Sequence, residues 1–193
     1  GIRDYTQKRY FKVFREDRTK NINFVSNPEW SFQKKIAKHF SAMCDAEVAI
    51  VFPEEKIAFT RTNTNITPGY TFEDLKKEFD VNKKYYNVIN NVCPDYKILI
   101  KKGLNGIRSE LRKNNFDVDF LESCEETISS IEKLVKKYVL EAKRVGNELV
   151  SETLSHVPME PANSFLEGLQ SVRFVSSMFY LNGNFQLGFG RID

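Results

Sequence analysis

The side chains best suited to chemistry in this sequence are few and scattered: Cys44, Cys93 and Cys124, His39 and His156, and a late set of glycines at Gly183, Gly188 and Gly190. A reactive thiolate needs a neighbouring cation or a helix N-terminus to lower its pKa. Cys93 stands before Pro94 and Asp95 with no adjacent histidine and no helix start ahead of it. Three cysteines at wide, irregular spacing match neither a disulfide framework nor a zinc pattern. They read as buried free thiols in a reducing cytoplasm. The two histidines fall on separate helices without further ligands nearby, which suits surface or edge positions better than a metal centre. The late glycines follow a helix and open a strand, whereas a dinucleotide fingerprint follows a strand and opens a helix. No triad, carboxylate dyad or metal site emerges, so no catalytic residue, cofactor ligand or metal ligand is assigned on local pattern.

The elements that would position any site are mainly helical. Ser26-Asn27-Pro28-Glu29-Trp30 carries a helix-start signature, and Phe32, Ile36, Phe40 and Met43 recur at three and four residues, predicting an amphipathic helix to about Cys44. AEVAIVFPEEKIAFTRT reads as two short apolar runs about a Pro-Glu-Glu turn, a hairpin. Asn63 to Tyr70 is loop-like, and Thr71 to Phe79 reads as a short capped helix. Asp95 caps YKILIKK, which Gly103 ends, and Ile107 to Lys113 forms another short helical segment. Ile128, Ile131, Val135, Tyr138, Ala142, Val145 and Leu149 share one face of a long helix predicted from about Phe120 to beyond Glu152. Glu132, Lys136 and Lys143 fall on its wet face. Val157-Pro158-Met159-Glu160-Pro161 breaks that helix.

A second helix then starts at Asn163 or Ser164. Between Ser164 and Leu181 its only charged residues are Glu167 and Arg173, and its apolar residues go most of the way round. Such a helix belongs in an interior. A turn at Asn182 to Asn184 and a buried strand from Phe185 to Ile192 are expected after it. A chain that ends on a strand with no polar tail reads as cut, and Phe174, Phe179, Phe185, Leu187 and Phe189 are expected to be covered by another copy, a partner chain or a missing barrel.

Composition bounds the partners. The chain has 193 residues, 41% hydrophobic and 28% charged, a balance that suits a soluble globular protein or part of one. No apolar run is long enough for a membrane span, and the N-terminus has no apolar core for a secretory signal. The Asn65-Ile66-Thr67 sequon is then a chance match. Residues 1–20 hold seven Lys/Arg against three Asp/Glu, within a net charge of +3. This basic arm, with Tyr5, Tyr10, Phe11 and Phe14 interleaved, suits either nucleic-acid contact or pinning to the body of the protein. The excess is small, so nucleic acid is not the expected partner.

Three stretches from Asn91 to Asp193 together resemble the N-terminal part of the pyruvate formate-lyase-like glycyl radical enzymes. The first is Pro158-Met159-Glu160-Pro161, then Ser164-Phe165-Leu166-Glu167-Gly168-Leu169-Gln170, then Gly190-Arg191-Ile192-Asp193. The second is Pro94-Asp95-Tyr96 followed by Leu99 and Gly103-Leu104-Asn105-Gly106-Ile107. The third is the long helix with Arg144, Glu148 and Leu149. The resemblance implies a mainly α segment with a short hairpin and a C-terminal strand, the helical N-terminal portion of a ten-stranded α/β barrel. Residues 1–27 would be a basic arm, and residues 28–193 a helical wrap leading into the barrel.

By the same resemblance, the whole enzyme would be a radical lyase, dehydratase or formate acetyltransferase-like enzyme of anaerobic metabolism. An S-adenosylmethionine-dependent iron–sulfur activase would install its glycyl radical. The radical glycine and the thiyl-forming cysteine would lie beyond Asp193, so this chain alone would be inactive. Asn91, in the place of a family histidine, and Arg191 would be its substrate-binding residues. Ser176 replaces a second family histidine, and Gly168 the usual alanine. Expected partners are the remainder of the enzyme or a barrel-bearing chain, the activase and further copies of itself, in the cytoplasm. The alternative is a non-catalytic helical binding or assembly module. The substrate is not readable from these residues.

Overall fold

The computed structural model describes residues 27–59, 93–181 and Gly188. Five helices make up the described part: α1 (Phe32–Ala46), α2 (Tyr96–Lys113), α3 (Val118–Arg144), α4 (Glu148–His156) and α5 (Phe165–Leu181). The helix expected at Thr71–Phe79, the basic arm except Asn27, and the late strand except Gly188 fall outside the described residues. Among the described residues no helix is long and apolar enough to cross a membrane.

Each helix begins where a side chain can take up an orphaned backbone N–H. Ser31 caps α1 by accepting from Lys34 N at 3.3 Å. The expected start at Ser26 is one turn too early. Asn27 instead accepts from Glu29 N at 2.9 Å, and Trp30 N donates to the Asn27 carbonyl, so Asn27–Trp30 close a turn ahead of the helix. Asp95 caps α2, Asp117 caps α3 and Asn147 caps α4.

Gly103 interrupts α2 as expected, with φ +61° and ψ 173° between two helical segments. The long helix does not run on past Glu152. It stops at Arg144, and Gly146, at φ +75°, turns the chain into α4. Ile131, Val135, Tyr138 and Ala142 are buried and Lys136 and Lys143 exposed, as their spacing predicts. Glu132 and Val145 are half-buried, and Leu149 departs from the reading altogether. The turn at Gly146 shifts the phase, so Val150 is buried and Leu149 is exposed.

The predicted hairpin is also corrected. Glu47–Phe59 contains no strand; it is an irregular segment with a turn at Pro53-Glu54. Its backbone groups are met by side chains of the helices rather than by a second strand. Asn147 Nδ2 donates to the carbonyls of Phe52 and Glu55, at 2.9 and 2.8 Å, and Lys137 Nζ donates to those of Cys44, Asp45 and Glu47.

One apolar core joins all five helices, through Phe40, Met43, Leu99, Leu134, Tyr138, Leu154, Phe174 and Met178 among others. Phe174 is fully buried within this chain, with ring centroids 5.2 Å from Phe59 and 5.5 Å from Tyr138. It therefore does not depend on another copy or a missing barrel for cover. Phe179 is half-buried, and Phe185, Leu187 and Phe189 lie outside the described residues. Among the residues of α5 whose exposure is described, the exposed apolar ones are at its other end, Phe165 at 82% and Leu169 at 40%.

Candidate functional site

The motifs singled out in the second half of the sequence meet at two seams. The first lies at the break in α2. Leu104 N donates to the Pro158 carbonyl and Asn105 N to that of Met159, both at 2.9 Å, while Ala162 N donates to the Ile100 carbonyl at 2.9 Å. The Pro158–Ala162 segment, which follows a cis Val157–Pro158 bond, is thus laid along the kink. A Cβ at position 103 would lie 2.7 Å from Glu160 Cα and closer still to the Met159 carbonyl oxygen. Gly103 is required twice over, by its left-handed φ and by this close approach. Asn105 Nδ2 adds a bond to Glu160 Oε1 at 2.7 Å.

From this seam the chain enters α5 through a reciprocal cap. Glu167 N donates to Ser164 Oγ at 3.2 Å, and Glu167 Oε2 accepts from Asn163 N at 2.5 Å. This is a variant of the capping box, shifted by one residue on the return bond. His156 Nε2 lies 2.8 Å from the Pro161 carbonyl and 2.9 Å from Asn163 Nδ2; it donates to the first when protonated and accepts from the second when not, and in either tautomer it braces the same connection.

The second seam is largely buried, and Arg173 is its one charge. Gln170, wholly inaccessible, accepts from Ala58 N through Oε1 at 2.8 Å and donates to the Ala58 carbonyl through Nε2 at 3.3 Å. One turn on, Arg173 Nε and Ser177 Oγ both donate to the Phe59 carbonyl, at 3.0 and 3.1 Å. Residues 170, 173 and 177 share one face of α5. They hold Phe59 at φ +60°, a conformation rare for a bulky side chain. On the neighbouring face, Ser176 Oγ and Tyr96 Oη are 2.6 Å apart, both residues buried. This contact ties the first residue of α2 to α5. Sequence reasoning singled out neither Gln170 nor Arg173 as a polar clamp. The available signal was their i, i+3 spacing with Ser177 on a helix otherwise apolar almost all round.

A family model described as pyruvate formate lyase-like matches residues 62–193. The chain belongs to this family. Two solved structures share its fold. One, from work on 1,2-propanediol dehydration in Roseburia inulinivorans, is 17% identical with a TM-score of 0.62, over 92% of this chain and 32% of its own. The other is the glycerol-bound B12-independent glycerol dehydratase from Clostridium butyricum, 19% identical with a TM-score of 0.57, over 80% of this chain and 30% of its own. This chain therefore spans about a third of the length of the structures it matches. No curated protein sequence matches it. The resemblance drawn from the Pro158, Asp95 and Ser164 stretches is thus that of a family member, and both seams lie largely within the matched residues.

Of the two residues expected at a substrate cavity, Asn91 and Arg191, both lie outside the described residues. The cysteines divide. Cys44 is buried and its thiol is pushed up to about 12, chiefly by burial and further by Asp45. Cys124 is half-buried and raised by burial and Glu125. Cys93 is exposed, against the expectation of burial, because it lies on the approach to α2 ahead of the Asp95 cap. His39 packs partly inside, and burial lowers its pKa. Among the described residues no three His, Cys, Asp or Glu side chains converge as metal ligands.

Proposed function

We propose that this chain is the N-terminal helical wall of a glycyl radical enzyme that removes water or another group from a small polar substrate. The observation that carries the reading is the convergence of the family's motif stretches on one structural joint. The Asp95–Ile107 stretch and the Pro158–Gln170 stretch, distant in sequence, are docked through Gly103 and locked by Tyr96 and Ser176. In this reading residues 1–27 are an arm, residues 28–193 lead into a ten-stranded barrel, and the radical glycine and active cysteine are supplied by sequence beyond Asp193. Asn91 and Arg191 would serve in this reading as hydrogen-bond donors to substrate oxygen. Asn91 in place of a histidine holds an oxygen well but is a poor proton carrier near neutral pH. The group that leaves must then be protonated by residues elsewhere in the enzyme.

An S-adenosylmethionine-dependent iron–sulfur activase would be the partner that installs the radical, and the enzyme would work as a homo-oligomer in an anaerobic cytoplasm. The test is activation under anaerobic conditions of two proteins, this chain alone and the same chain continued by a barrel. Electron paramagnetic resonance is expected to show a doublet radical signal only in the second. With that protein, 1,2-propanediol and glycerol are the first substrates to try, because the two structural neighbours are described with them. Asn91→Ala and Arg191→Ala are expected to raise KM more than they lower kcat. A doublet in the isolated chain, or full turnover by both variants, would overturn the assignment.

A further inference from the structure

We draw no further inference here: the strongest candidate, the groove between α3 and α4 with Val135, Leu140, Leu154 and Met159 on its floor and Glu132, Lys136 and Glu160 also lining it, is open at Leu140, but nothing in the structure shows what covers it.

Discussion

The outer and inner seams of the helical body are held by different chemistry. Where α1 and α2 meet α3, the contacts at the surface are ion pairs: Lys34–Glu122 and Lys38–Glu126 at 2.9 Å, Arg112–Glu125 at 2.6 Å, and Arg108 between Glu125 and Glu132 at 3.2 and 3.5 Å. Where α5 meets Ala58–Phe59 and α2, buried amide and hydroxyl groups bond to backbone or to one another, with Arg173 the one charge. An exposed ion pair loses little when broken, because water solvates both members again. A buried amide or hydroxyl that loses its partner has no such replacement. The prominent charges of the outer seam should therefore matter least, and the inconspicuous Gln170 should matter far more.

The largest expected effect is at the joint between the motif stretches. Gly103→Val puts a branched side chain where a Cβ would lie 2.7 Å from Glu160 Cα, on a backbone with φ +61°. We expect a loss of about 3 kcal/mol or more, read as a fall in urea midpoint, with the Pro158–Ala162 amides losing protection from hydrogen exchange. A stable Gly103→Val chain with unchanged exchange would mean that the joint is slack.

Next comes the inner clamp. Gln170→Ala leaves both the N–H and the carbonyl of Ala58 without their partner in a buried setting, for an expected cost of about 2–4 kcal/mol. Gln170→Glu keeps the size but loses the donor, and should fall between the variant and the parent only at low pH, where its carboxyl is protonated. Equal stability of Gln170→Ala and the parent in a denaturation series would remove the contrast between the seams. Tyr96→Phe deletes one half of the hydroxyl pair with Ser176, and about 1–1.5 kcal/mol is expected. The double variant Tyr96→Phe/Ser176→Ala should recover part of that loss, since no buried hydroxyl is then stranded.

The smallest effects belong to the outer seam. Burial pushes the Glu126 carboxyl up, but hydrogen bonds from Lys38 and Ser41 outweigh it and leave its pKa below the ordinary 4.5. For Glu132 the hydrogen bond from Lys136 is the leading cause of a lowered pKa, opposed by burial and helped by the charges of Lys136 and Arg108. A carboxyl depressed in the folded state stabilises it fully above the unfolded value of 4.5, and that contribution is lost as pH falls through the folded value. Solvent screens both groups, so Glu126→Gln should cost less than about 1 kcal/mol near pH 7. The difference should shrink as pH falls below 4.5 and vanish once pH has passed the lowered folded value. A cost at pH 7 as large as that of Gln170→Ala would place the strength of the body in its ion pairs instead.

Legibility in the sequence followed the range of the interaction that decides each feature. Asp95 as a cap, Gly103 as a break, Pro158 as a stop and the three-four spacing of Ile131, Val135, Tyr138 and Ala142 all depend on residues within a few positions, and the structure carries them as read. Residues 47–59 were misread because apolar β-branched runs beside a proline turn look the same whether a strand or a helical side chain meets their backbone. Here Asn147, Gln170, Arg173 and Ser177 meet it, from some 90 to 120 residues away. The split between α3 and α4 is a similar case. Gly146 marks a cheap turn, but Asn147 bound to Phe52 and Glu55 is what holds it.

By itself, then, the sequence determined the Asp95 cap, the breaks at Gly103 and Pro158, the buried face of α3 and the family, because each rests on local spacing or on motif order. Only the tertiary structure decided that Phe174 is covered from within by Phe59 and Tyr138, that Gln170 acts as a backbone partner, and that Gly103 receives the Pro158–Ala162 segment. Those outcomes depend on which distant backbone arrives beside each side chain, and a buried polar group carries no mark in sequence of the partner that satisfies it.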